Sequence, residues 1–141
     1  MKILLTLDDS RVGLAAAKTV ASRLWPPETI THILQVSGSN CEPTNANPSR
    51  MHLTPCLIAL GQFAMQRMQL EAKVLQGRPK SAILDEARDL GADLIVVGAH
   101  GRSGIERFLL GSVSLAVAGH AQCSIKIVRP RQPRQGNTCA L

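Results

Sequence analysis

The sequence predicts an α/β fold, a single-domain Rossmann-like five-stranded parallel sheet with helices on both faces. Three observations point there. Short apolar runs alternate with longer stretches whose apolar residues recur at helical spacing, strand then helix four times and then a last strand. The run Leu94-Ile95-Val96-Val97 is unbroken and rich in β-branched residues, as expected of a strand buried on both faces in the middle of a parallel sheet. The intervening helical stretches supply the right-handed crossovers that parallel strands require.

Taken in order, residues 3–7 form a short apolar run closed by Asp8 and Asp9, which fits a buried first strand. Ser10 is a good N-cap for a helix carrying Val12, Ala16, Val20 and Leu24 on one face, ended by Pro26-Pro27. Ile30 to Val36 reads as the second strand, and residues 37–52, rich in Ser, Asn and Pro, as a polar loop. Thr54-Pro55 opens a helix with Leu57, Leu60, Ala64 and Met68 on its apolar face, running to about Glu71. Lys73 to Leu75 is a weak third strand. Pro79 starts the next helix, with Ile83, Ala87 and Leu90 facing inward and Gly91 as its C-terminal stop. After the strand at 94–97 come a glycine-rich loop, a helix from about Ser112 to His120, and a strand from Ile125 to Val128 that stops at Pro130.

The chain of 141 residues suits one domain over 1–130, with 131–141 as a basic, flexible C-terminal tail. No apolar stretch approaches the length of a membrane span, and the N-terminus lacks the pattern of a secretory signal, so a cytoplasmic location is expected. The four cysteines, Cys41, Cys56, Cys123 and Cys139, have neither C-x-x-C spacing nor histidine partners and read as free thiols. The net charge of +6 raises nucleic acid as a partner, but Arg129, Arg131 and Arg134 sit in or beside the tail. With no tyrosine, two phenylalanines and one tryptophan, base-stacking platforms are nearly absent, which argues against that partner.

The stretch that carries chemistry runs from Gly98 to Val113. Gly98 and Gly101 let the backbone turn and approach a ligand closely. Gly111-Ser112 stand at a helix N-terminus, where unpaired N–H groups and the helix dipole favour phosphate. Arg102 and Arg107 offer positive charge. The loop is neither a Walker A motif, lacking Gly-Lys-Ser/Thr, nor the dinucleotide fingerprint Gly-x-Gly-x-x-Gly. By itself it is equally a phosphate cradle or a turn with a capped helix. His100 has no serine or cysteine partner by motif, and its place in the glycine turn accounts for it.

The spacing Gly98-x2-Gly101-x9-Gly111-Ser112 resembles the ATP-binding signature of the universal stress protein family. Leu7-Asp8-Asp9-Ser10 is similar to the end of that family's first strand, and Asp93 to Gly98 to its fourth. Leu109 to Ser114 and His120 to Ile125 resemble its closing helix and strand. The resemblance implies strand order 3-2-1-4-5, so that Asp8 and Gly98 converge where the winding reverses, the usual ligand crevice of open α/β sheets. It also implies an ATP site formed by Asp8, Val36, Gly98, Gly101, Arg102, Gly111, Ser112 and Val113. Asp9 replaces the family's usual glycine, and its carboxylate would either oppose phosphate or help hold Mg2+. The function so implied is a nucleotide-regulated protein of the stress response, a homodimer through its last strand with a protein partner still to be identified. A slow ATP hydrolase and a nucleotide-independent interaction protein are the alternatives.

Overall fold

The computed structural model describes residues 1–8, 10–37, 61, 68–100 and 110–130. In chain order the elements are β1 (Lys2–Thr6), α1 (Arg11–Ala21), β2 (Ile30–Ser37), β3 (Gln69–Gln76), α2 (Pro79–Leu90), β4 (Leu94–Gly98), α3 (Ser112–His120) and β5 (Ser124–Val128). The five strands form one parallel sheet in the order β3-β2-β1-β4-β5.

Alternation along the strands divides the core into two layers. On one face Ile3, Leu5, Ile33 and Val96 pack against Ala16, Ala17 and Val20 of α1. On the other, Leu4, Leu34 and Ile95 pack against Ile83 and Ala87 of α2 and Val117 of α3. Ile95, Val96 and Val97 are all buried, so the two-faced burial expected of β4 is found.

Helix ends follow local chemistry. Ser10 caps α1, its side chain accepting from the Gly13 N–H. Pro79 occupies the first turn of α2, and Gly91 ends that helix in the left-handed conformation at φ 59°.

Three expectations are corrected. Leu24 does not belong to the α1 stripe: the helix ends at Ala21, and Leu24 is 88% exposed. Trp25 covers that end of the layer instead, its indole N–H donating to the Val20 carbonyl at 2.8 Å. The helix expected to reach Glu71 does not do so, because Gln69, Leu70 and Glu71 already belong to β3. Their partners are Ile30, Thr31 and His32 of β2. Ladder hydrogen bonding to β2 outweighs the helical preference of Gln, Leu and Glu, a preference of only tenths of a kcal/mol per residue. Ser37, expected to begin the polar loop 37–52, instead ends β2, paired with Gln76 of β3. The rest of that loop, the helix start at Thr54-Pro55, Asp9, the loop positions Gly101, Arg102 and Arg107, and the tail 131–141 lie outside the described residues.

Candidate functional site

Parallel strands and right-handed crossovers bring the N-termini of α1, α2 and α3 to the C-terminal edge of the sheet. There a cavity of about 480 Å³ opens beside the ends of β1, β2 and β4. Asp8, Val36, Gly98, Gly111, Ser112 and Val113 all line it, so most of the sequence-derived positions meet in one crevice.

Each arrives by a local route. Beyond β1 the Leu7 N–H bonds the Leu34 carbonyl at 2.9 Å, extending the strand and delivering Asp8 to the edge. The Asp8 Oδ1 accepts from the Ser10 N–H at 3.0 Å and from the Ser10 hydroxyl. Asp8 is therefore held at the start of α1, where the dipole favours a carboxylate. Past β4, the Ala99 carbonyl accepts from the Gly111 N–H at 2.7 Å and from the Ser114 hydroxyl at 2.9 Å. Ser114 is buried, and these two bonds clamp the start of α3 onto the end of β4.

The helix termini differ in a way that matters. α1 carries a side-chain cap, whereas α3 begins at Gly111 with no side-chain cap. Gly111, the exposed Ser112 and Val113, the start of the helix, line the crevice. Such a terminus favours an anion. Leu34, Val36, Ile83 and Val113 give the neighbouring wall an apolar character. The crevice thus combines a helix N-terminus with apolar lining.

Sequence reasoning missed Gly13, Pro79 and Ile83, which also line the cavity. Pro79 and Ile83 read only as a helix opener and a core residue. Gly13 did carry a signal, as an isolated glycine inside an alanine-rich helix. A Cβ there would come within 2.5 Å of the Asp8 carbonyl oxygen and 2.7 Å of its Oδ1. At Gly98 a Cβ would meet Val12 Cγ1 at 2.6 Å. Both glycines let α1 sit directly on the strand ends. His100 lines the crevice too, with no hydrogen bond to a serine or cysteine among the described residues.

At the opposite end of the sheet a smaller cavity of about 250 Å³ is lined by Arg88, Gly91, His120 and Cys123 among others. Cys123 is a free thiol. Partial burial, reinforced by the charge of Asp93, raises its pKa above the ordinary thiol range, against a smaller opposing effect of a backbone bond with Ile95. The fold thus holds this proton more tightly than the unfolded chain does. Its contribution to stability is complete below the ordinary thiol pKa and is lost as pH rises through the higher folded value. Urea unfolding midpoints measured from pH 8 to 10 should fall more steeply for the wild type than for Cys123→Ala. Parallel curves would show that burial does not disfavour the thiolate.

Comparison with known proteins places these features in a family. The model of the universal stress protein family matches residues 1–129. A universal stress protein of Methanocaldococcus jannaschii is 31% identical over 140 residues, covering 91% of this chain and 81% of its own. A protein of Staphylococcus epidermidis named for the same family is 47% identical over 57 residues, but that match spans only 34% of its length and 40% of this chain. Among solved structures, a universal stress protein in complex with cAMP is 26% identical with a TM-score of 0.68, covering 92% of this chain and 96% of its own. The structure behind a function assignment for a hypothetical protein superposes with a TM-score of 0.79 over 94% of this chain and 97% of its own. At 20% identity it supports the fold alone.

Proposed function

Since the chain belongs to the universal stress protein family, we propose that its crevice binds an adenine nucleotide and that occupancy regulates conformation or partner binding. The observation that carries this reading is the uncapped start of α3 at Gly111-Ser112, which shares one cavity with Asp8 and the apolar wall of Val36, Ile83 and Val113. The phosphate lies at the helix N-terminus, and the base lies in the apolar part. The relative in complex with cAMP supports an adenine ligand, and the glycine signature favours ATP as its form.

Asp8, Val36, Gly98, Gly101, Arg102, Gly111, Ser112 and Val113 are the proposed contacts, with Gly101 and Arg102 resting on the resemblance alone. One Asp8 oxygen is already engaged by Ser10, so a Mg2+ ion accompanying the nucleotide would meet only part of that carboxylate. Among the described residues no group of three or more His, Cys, Asp or Glu side chains is arranged to hold a metal. Among the same residues no helix is long and apolar enough to cross a membrane. β5 lies at the edge of the sheet with β4 as its neighbour, which supports pairing with a second copy through that strand.

The test is the melting temperature with ATP, AMP or cAMP, each with and without Mg2+. Ligand at one hundred times its dissociation constant stabilises a fold by about 2.7 kcal/mol. For a domain of this size that is a rise of roughly 5–15 °C. GTP as a control should give a smaller rise. No rise with any adenine nucleotide would overturn the reading in favour of the nucleotide-independent interaction protein. The dependence on Mg2+ decides whether the metal belongs to the site.

A further inference from the structure

We propose that the Lys73–Glu86 ion pair is a positioning pair, holding α2 in place as a wall of the crevice. This rests on the nucleotide reading above for its functional consequence, but not for its structural one. Pro79 and Ile83, from the first two turns of α2, line the cavity. That end of the helix has no side-chain cap at Arg78 to fix it.

Among the described residues, two side-chain ties join α2 to the sheet. The Lys2 Nζ donates to the Leu90 carbonyl at 2.9 Å, in the last turn and away from the crevice. The Lys73 Nζ donates to the Glu86 Oε2 at 2.7 Å, three residues from Ile83. The Glu86 side chain is only 11% exposed, whereas that of Lys73 is 56% exposed. The pair therefore places a carboxylate in the core layer and reaches it with a lysine from β3, the edge strand. The register sets Lys73 opposite Leu34, which also lines the cavity.

A buried carboxylate stays buried only while it is paired. Without Lys73, the Glu86 carboxylate loses its partner in the core layer and turns towards water. Turning outward rotates the helix face that carries Ile83, and the crevice loses a wall without any contact to ligand being removed. His32 and Glu71, paired at 3.1 Å one step along the same two strands, belong to the same sheet face and do not tie to α2.

The experiment compares wild type, Lys73→Met, the charge swap Lys73→Glu with Glu86→Lys, and Lys2→Met as the tie at the far end. The dissociation constant for AMP is read by calorimetry, and amide hydrogen exchange is read along α2 and α3. Lys73→Met should raise the dissociation constant by about two- to thirtyfold, the range found for residues that act on a site through packing. It should also speed exchange over 82–86 while leaving 115–119 unchanged. The charge swap should recover most of the affinity. Lys2→Met should speed exchange in the last turn of α2 with no change in affinity, a separation that general loss of stability would not produce. Unchanged exchange over 82–86 in Lys73→Met overturns the proposal whatever the nucleotide result. Altered exchange with unaltered AMP binding overturns the positioning role. Absence of AMP binding by the wild type would instead sink the nucleotide reading, while exchange still decides whether the pair holds α2.

Discussion

Ser112→Glu should abolish the rise in melting temperature caused by adenine nucleotide while leaving the unliganded protein as stable as the wild type or slightly more so. Ser112 is exposed at the first position of α3, and its hydroxyl makes none of the hydrogen bonds that clamp the helix to β4. Those belong to Gly111 and Ser114. A carboxylate at this position interacts favourably with the helix dipole, by about 0.3–1 kcal/mol on an exposed surface. The same carboxylate occupies the proposed phosphate position with like charge. The two effects therefore have opposite signs, and one calorimetric scan with and without ligand separates them. An unliganded melting temperature at or above wild type, with no ligand response, is the expected pair of results. A full ligand response in the variant would place the phosphate away from α3 and remove the observation on which the functional reading stands.

Gly13→Ala should destabilise the fold, although the same change in an ordinary helix interior would stabilise it by about 1 kcal/mol. The reversal of sign follows from distance. The added Cβ would lie 2.5 Å from the Asp8 carbonyl oxygen, 2.7 Å from its Oδ1 and 3.1 Å from its backbone nitrogen. Two of those three atoms are backbone, so no side-chain rotation relieves the clash. Overpacking of this kind costs about 1–3 kcal/mol, enough to exceed the gain in helix propensity. Relief requires α1 to lift from the end of β1, which would carry Ser10 away from the Asp8 carboxylate and widen the crevice. The urea midpoint should fall and nucleotide affinity should fall with it. A higher midpoint would mean that α1 does not sit as close to Asp8 as described.

Much of this was legible before the fold was known. Ser10, Pro79 and Gly91 announced helix boundaries because capping and left-handed turns are decided within a few residues. The run at 94–97 announced a central strand because burial on both faces leaves no room for alternation. Gly98, Gly111 and Ser112 could be singled out because a glycine turn and a helix start have a recognisable local chemistry, whereas Asp8 and the expected ligand came from the resemblance.

The sequence by itself determined the alternation of strands and helices among the described residues and the buried faces of α1 and α2, since these depend on spacing and on interactions among near neighbours. Tertiary structure decided what near neighbours do not control. Gln69–Glu71 became strand because β2 lay alongside, and Trp25 rather than Leu24 closed the end of the α1 layer because the chain turned after Ser22. The close approach of Gly13 to Asp8 emerged only once α1 was seen against the end of β1, and Glu86 found Lys73 across a gap of thirteen residues. Local propensities amount to tenths of a kcal/mol per residue, whereas steric overlap and an unpaired buried charge each cost several times that, so contacts between distant segments prevail where the two conflict.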